Sequence, residues 1–271
     1  MSPRFKSRST QSCSTLALLL GVIAGSLALG CAQTAELQPP EQLTTPYPIR
    51  AGEVLLAVAP LRNESGTSAI DVLAISDLLV QRVDSIGGIT CLPLNRTLAA
   101  MRALGMPVVS TPAEAARLAR ALGADGLIAG TVTAYDPYDP PRFGLALALF
   151  GADNKLQGVG VGQSDPLNMQ MVATEATSGR GLFRDQPLSV MSETLDGRDQ
   201  GVQMNVRRFA EGRTEPGTAL GWRAYLANMD LYTQFATWWS IHRLIQEERM
   251  RISRLPNAKT ETVTNAEPPV K

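Results

Sequence analysis

Val54-Leu-Leu-Ala-Val-Ala59 is the stretch that most narrows what this chain can fold into. Six consecutive apolar residues closed by Pro60 read as a short strand with no polar face to offer to water. Such a strand must be covered on both sides, which calls for helices above and below a largely parallel sheet. The sequence around it supplies them. Arg62-Asn-Glu-Ser-Gly66 reads as a turn, and from Ser68 to Ile86 the apolar residues Val72, Ile75, Leu79, Val83 and Ile86 recur at helical spacing. Gly87-Gly88 stops that helix, and Ile89-Thr-Cys-Leu92 forms a second short strand that buries Cys91.

Two more helices follow. Asn95 is the expected cap of one whose apolar side is Leu98, Met101 and Leu104, ended by Gly105. Thr111-Pro-Ala-Glu114 opens the next: Thr at the cap, Pro at the first helical position, Glu three residues past the cap. Ala115, Leu118, Ala119 and Leu122 form its inner stripe. Gly126 to Tyr135 is then a strand, the proline-rich run to Pro141 turns the chain, and Phe143 to Phe150 returns as another. Asp136 and Asp139 lie in that turn beside Pro137 and Pro140 and read as turn formers. The predicted order β-α-β-α-α-β-β over residues 51–150 is an α/β layered domain with an antiparallel edge and a long C-terminal helical segment.

Beyond this unit the periodicity fades. Residues 151–205 read as an irregular or partly disordered segment, or as one holding short strands that the pattern does not place. Gly158-Val-Gly-Val-Gly162 lacks the Lys-Ser/Thr ending of a phosphate loop and reads as a turn. Residues 206–255 form an aromatic-rich helical segment, with one long helix or two broken near Asp230. Trp222, Tyr225, Tyr232, Phe235, Trp238 and Trp239 make up its aromatic stripe. It packs on the domain or, as a candidate partner surface, faces another protein, since Trp and Tyr are enriched where binding energy concentrates. Glu247, Glu248, Arg249 and Arg251 read as the polar end of the helix, and residues 256–271 as a disordered tail.

The N-terminus carries a separate message. Arg4, Lys6 and Arg8 precede the apolar run Leu16 to Gly30, and Cys31 follows at once. A basic head, a run too short for a permanent span and a small residue before the cut describe a secretory signal over residues 1–30. The cysteine after Leu27-Ala-Leu-Gly30 makes it similar to a bacterial lipoprotein signal, with Ala28 standing where an aliphatic residue is usual. Cys31 is then the lipidated residue and membrane anchor, its acyl chains (palmitate among them) holding a water-soluble domain at the envelope. Ala32, in place of an Asp, favours the outer membrane over the inner, with the domain facing the periplasm. Residues 31–50, with Pro39, Pro40, Pro46 and Pro48, read as a proline-rich tether.

Several strings resemble a known group of exported proteins. Val58-Ala-Pro60 followed by Leu61-Arg-Asn-Glu-Ser-Gly66 is similar to the strand and Asn-x-Ser-Gly opening of that group. Leu122-Gly-Ala-Asp-Gly-Leu-Ile-Ala-Gly130 resembles its Leu-Gly-Ala-Asp strand entry. The group comprises CsgG-type curli-secretion lipoproteins, LpoB-type activators of peptidoglycan synthases and the amino-terminal domain of TolB, and the resemblance covers about residues 52–150. It implies a non-enzymatic domain that contacts other envelope proteins, and it carries over no catalytic residue.

Charge and chemistry narrow the function. The signal takes three basic residues with it, leaving 22 basic against 25 acidic and a net charge of −3. That balance is no footprint for nucleic acid. Cys91 is the one cysteine remaining after the signal and Cys31, so no intramolecular disulfide is expected. The sole histidine, His242, sits among the aromatic residues and reads as half-buried packing. There is no Gly-x-Ser-x-Gly elbow, His-Glu-x-x-His pair or metal-spaced Cys/His cluster, so no catalytic residue, cofactor or metal is expected. The leading reading is a scaffold or regulator that binds envelope proteins, with self-association open. A curli-channel-like subunit of a secretion or assembly complex is second, though Phe143 to Phe150 and the weakly alternating Met169 to Glu175 lack the pattern of lipid-facing barrel strands. An envelope hydrolase is third.

Overall fold

β1 (Val54–Val58), the apolar strand expected at the centre, does lie inside a sheet in the computed structural model, which describes residues 42–47, 53–152, 156, 186–214 and 218–254. All of these belong to the unit Gln38–Lys271. The signal, Cys31, the glycine run at 158–162, Met169 to Glu175 and the tail 256–271 lie outside the described residues.

The remaining strands are β2 (Arg62–Asn63), β3 (Ile89–Cys91), β4 (Gly126–Asp136), β5 (Arg142–Gly151) and β6 (Ser189–Asp196). The sheet runs β3-β1-β4-β5-β6, with β2 paired to β4 beyond the end of β1. β1 is parallel to both neighbours, Leu56 facing Cys91 on one side and Gly126 on the other. β4, β5 and β6 are antiparallel, with Leu147 opposite both Gly130 and Met191. A bulge between Val132 and Ala134 faces Gly144, where a Cβ would stand 2.5 Å from Thr133 Oγ1 and 2.9 Å from the Ala134 nitrogen. Only glycine admits that approach.

The helices are α1 (Val72–Asp84), α2 (Leu94–Ala103), α3 (Pro112–Leu122), α4 (Gln200–Ala210), α5 (Ala224–Ala227) and α6 (Met229–Arg254), with a 3-10 turn at Gly221–Arg223. Asp71 sets the start of α1 by accepting from the Leu73 and Ala74 amides, so the helix opens at Val72, the first residue of its apolar pattern, rather than at Ser68. The capping box on α3 is present: Thr111 Oγ1 accepts from the Glu114 amide, and Glu114 accepts from the Ser110 and Thr111 amides. Asn95 is not a cap. Pro93 stands at the α2 entry without a side-chain cap, and Asn95 is already inside the first turn.

Period-two alternation divides the sheet into two faces. One face carries Leu56, Val58, Ile128, Phe143, Leu145, Leu147 and Met191, covered by α1, α4 and α6. The other carries Leu127 together with Ala57 and Ala59, whose small side chains let α2 and α3 approach closely. That second cover stops short of the antiparallel edge. Ala146, Ala148 and Phe150 are half-buried there and Val190 is 52% exposed, so β5 is buried fully on one face only.

In three regions the structure departs from the sequence reading or decides between its alternatives. Within 151–205 the chain forms a complete eight-residue strand, β6, and enters a capped helix, α4. β6 escaped notice because its outward residues, Val190, Ser192 and Thr194, mix apolar and polar on an exposed face. Of the two readings of the C-terminal helix the broken one holds: the break falls at Asn228, beside Asp230, and the Asn228 carboxamide caps α6 by accepting from the Asp230 and Leu231 amides. Within the expected tether, Thr44 bridges Gly87 and Tyr47 is buried, so residues 42–47 are built into the fold.

Candidate functional site

The aromatic stripe divides by depth. Tyr225, Tyr232 and Phe235 are buried and pack into the core, so these three are no part of an accessible partner surface. Trp222, Trp238 and Trp239 are half-buried and leave ring surface at the solvent. Helical spacing alone does not make this division: Tyr232, Phe235, Ala236 and Trp239 recur at three and four residues on one face, and Trp239 is the member of it that reaches out to bond Glu193 on β6.

Phe209, at the end of α4, holds these rings together, and it is the residue the stripe alone does not reveal. Its ring lies 5.4 Å from Tyr225, 5.8 Å from Phe235 and 5.1 Å from Trp238. Val202, Val206 and Phe209 recur at helical spacing, a short stripe that marks its inward direction. His242 stacks on Trp239 with ring planes 11° apart and lies near Gln246, its Nε2 2.7 Å from Gln246 Nε2. It is half-buried packing, as its position among the aromatic residues suggested.

Two carboxylates carry the polar chemistry that sequence reading passed over. Glu193 on β6 accepts from Trp239 Nε1 at 2.5 Å and from Arg243 Nε at 2.9 Å, tying α6 to the edge of the sheet. Glu248 is wholly buried rather than part of a polar end. It accepts from Tyr47 Oη at 2.9 Å, Ser189 Oγ at 2.5 Å, Arg251 Nε at 2.7 Å and Arg251 Nη2 at 2.6 Å. Arg251 also donates to the Leu156 carbonyl. Burial, then the charge of Glu248 and the hydrogen bond to it, pushes the Tyr47 hydroxyl pKa up. Helical spacing from Ile241 through Leu244 and Ile245 reaches Glu248, the signal that would have placed it inside. This carboxylate joins the N-terminal segment, β6 and α6, and all its bonds are spent on holding them.

Cys91 is buried, and burial, with Asp84 nearby, pushes its thiol up to about 12. A thiol so desolvated is a packing group, not a nucleophile. Asp136 accepts from the Tyr138 amide, a turn-forming bond of the kind its proline neighbours suggest. Among the described residues no three His, Cys, Asp or Glu side chains gather as a metal site requires.

No protein-family model matches the sequence, and no curated protein does. Solved structures do match. The C-terminal domain of LpoB from Salmonella enterica is 13% identical with a TM-score of 0.36, over 58% of this chain and 87% of that one. Lipoprotein GNA1162 from Neisseria meningitidis is 17% identical with a TM-score of 0.35, over 56% and 92%. A PelC dodecamer from Paraburkholderia phytofirmans gives 15% and 0.26, over 43% and 70%. The chain thus bears a weak resemblance to LpoB-type lipoproteins, and no residue role is carried over from any of them.

Proposed function

We propose that this chain is a lipid-anchored envelope protein that acts as a non-enzymatic scaffold or regulator by binding another envelope protein. Cys31 carries the lipid, and the domain faces the periplasm from the outer membrane. The observation that carries the contact role is the trio Trp222, Trp238 and Trp239, half-exposed beside a core already closed by Tyr225, Tyr232 and Phe235. Large rings fixed at the surface by packed neighbours supply contact area at little entropic cost. The anchor rests on the basic head, the short apolar run and the cysteine that follows it.

The test begins at the anchor. Cys31→Ser should abolish incorporation of labelled fatty acid and block normal processing of the precursor, as read on gels of intact cells. Continued labelling of that variant would defeat the lipid-anchor reading.

A self-assembling subunit of a secretion or surface-assembly complex is the second reading, favoured by one feature. Among the described residues β6 pairs only with β5, and the face beside it exposes Val190 over half-covered Ala146 and Ala148. An open edge beside a small apolar face is where a second copy would add a strand.

A further inference from the structure

Two arginines lie against the Phe209 ring of the aromatic cluster, and among the described residues neither pairs with a carboxylate. Arg82 comes from the last turn of α1, and Arg213 follows the end of α4. The Arg213 guanidinium carbon lies 4.2 Å from the Phe209 ring centroid and 5.9 Å from that of Trp238, while that of Arg82 lies 6.0 Å from Phe209 on the same ring. Among the described residues neither takes part in an ion pair. Arg213 spends one donor, Nη1, on the Phe209 carbonyl at 2.7 Å, and Arg82 Nε is buried with no acceptor.

Among the described residues their near neighbours are apolar rings and the phenol of Tyr225, which acts electrostatically on both arginines. Burial pushes both guanidinium pKa values down, and for Arg213 the positive charge of Arg82 adds to it. The C-terminal ends of α1 and α4 lessen the cost of holding two like charges there. They do not remove it, and they leave most of the guanidinium donors unused.

We propose that Arg82 and Arg213, floored by Phe209 and walled by Trp238, form a binding site for a carboxylate on an acidic segment of a protein partner. The choice follows from charge complementarity. A planar carboxylate matches the fork of a guanidinium, and the flanking rings receive the apolar part of a peptide. The inference rests on the contact role proposed above and names what that surface recognises: an acidic side chain or chain end set against aromatic rings.

The full-length protein is titrated with a capped peptide rich in Asp and Glu, with its Asn and Gln counterpart, and with inorganic phosphate. Tryptophan fluorescence and the melting temperature report binding. The acidic peptide should bind saturably and the amide peptide about tenfold or more weakly, the loss of a charge-assisted bond. Arg213→Gln and Arg82→Gln should each weaken the acidic peptide by about tenfold or more. Arg213→Lys, which keeps charge and stem, should fold normally and recover only part of the affinity. Equal binding of both peptides, no saturable binding of the acidic one, a response to phosphate alone, or glutamine variants that bind like the parent would each overturn the site. Crosslinking in cells reads the wider function separately. A protein that fails this titration yet is still trapped with an envelope partner keeps its contact role and loses only the carboxylate site.

Discussion

Glu248→Ala is expected to lower stability by about 3–5 kcal/mol, the range for removing one member of a buried ion pair. The side chain has no exposed surface, and the truncation strands Arg251, Tyr47 and Ser189 together. For a folded unit of this size that is a fall of about 6–20 °C in melting temperature. The damage should also be local in a telling way. Residues 42–47 are held by the Tyr47 bond, by Arg249 donating to the Thr44 carbonyl and by the Thr45 amide donating to Gly87. Hydrogen exchange at the Thr45 amide should rise in Glu248→Ala more than at β1. Glu248→Gln should fall between the two, since the amide keeps a shape that can accept from Tyr47 but loses the charge facing Arg251. A melting temperature unchanged in Glu248→Ala would mean that the buried clasp does not hold the N-terminal segment.

Phe235→Ala should cost a similar amount, about 3–5 kcal/mol, for emptying a large aromatic core position. Phe235 is wholly buried and touches rings on every side: Phe209 and Tyr232 at 5.8 Å, Trp239 at 6.4 Å and Trp238 at 6.5 Å. Its loss leaves both tryptophans without a floor, so near-ultraviolet circular dichroism should change with the melting temperature. Trp239→Ala should cost less, because that ring is half-buried and part of its role is one bond to Glu193. A Phe235→Ala protein with the parent melting temperature would show that α6 does not seal the sheet.

The parallel half of the fold was legible because each element there has a single, uninterrupted pattern. β1 is apolar throughout, α3 carries a full capping box, and α1 keeps helical spacing over Val72, Ile75, Leu79 and Val83. β6 was not legible, since one of its faces is open and its inward Glu193 breaks the apolar alternation. The site was legible as a stripe but not as a surface. Spacing placed six aromatic residues on one helical segment, and only three-dimensional packing shows that three of them close the core. Glu248 and Tyr47 were misread for a shared reason: a carboxylate among charged neighbours and a tyrosine between two prolines carry local signals of exposure. Their burial depends on partners about 200 residues apart in the chain, which no local window contains. Arg82 belongs to the same class, brought from α1 onto the ring of Phe209, which Arg213 reaches from only four residues away.

A photo-crosslinking residue placed at position 238, compared with the same residue at position 190 in intact cells, tests the central claim most directly. The account predicts that position 238 traps one distinct envelope protein and that the adduct is lost in Arg213→Gln. It predicts no comparable adduct from position 190. A ladder of self-adducts from position 190, with nothing trapped at 238, would contradict the account and make this chain a subunit of a homo-oligomeric assembly.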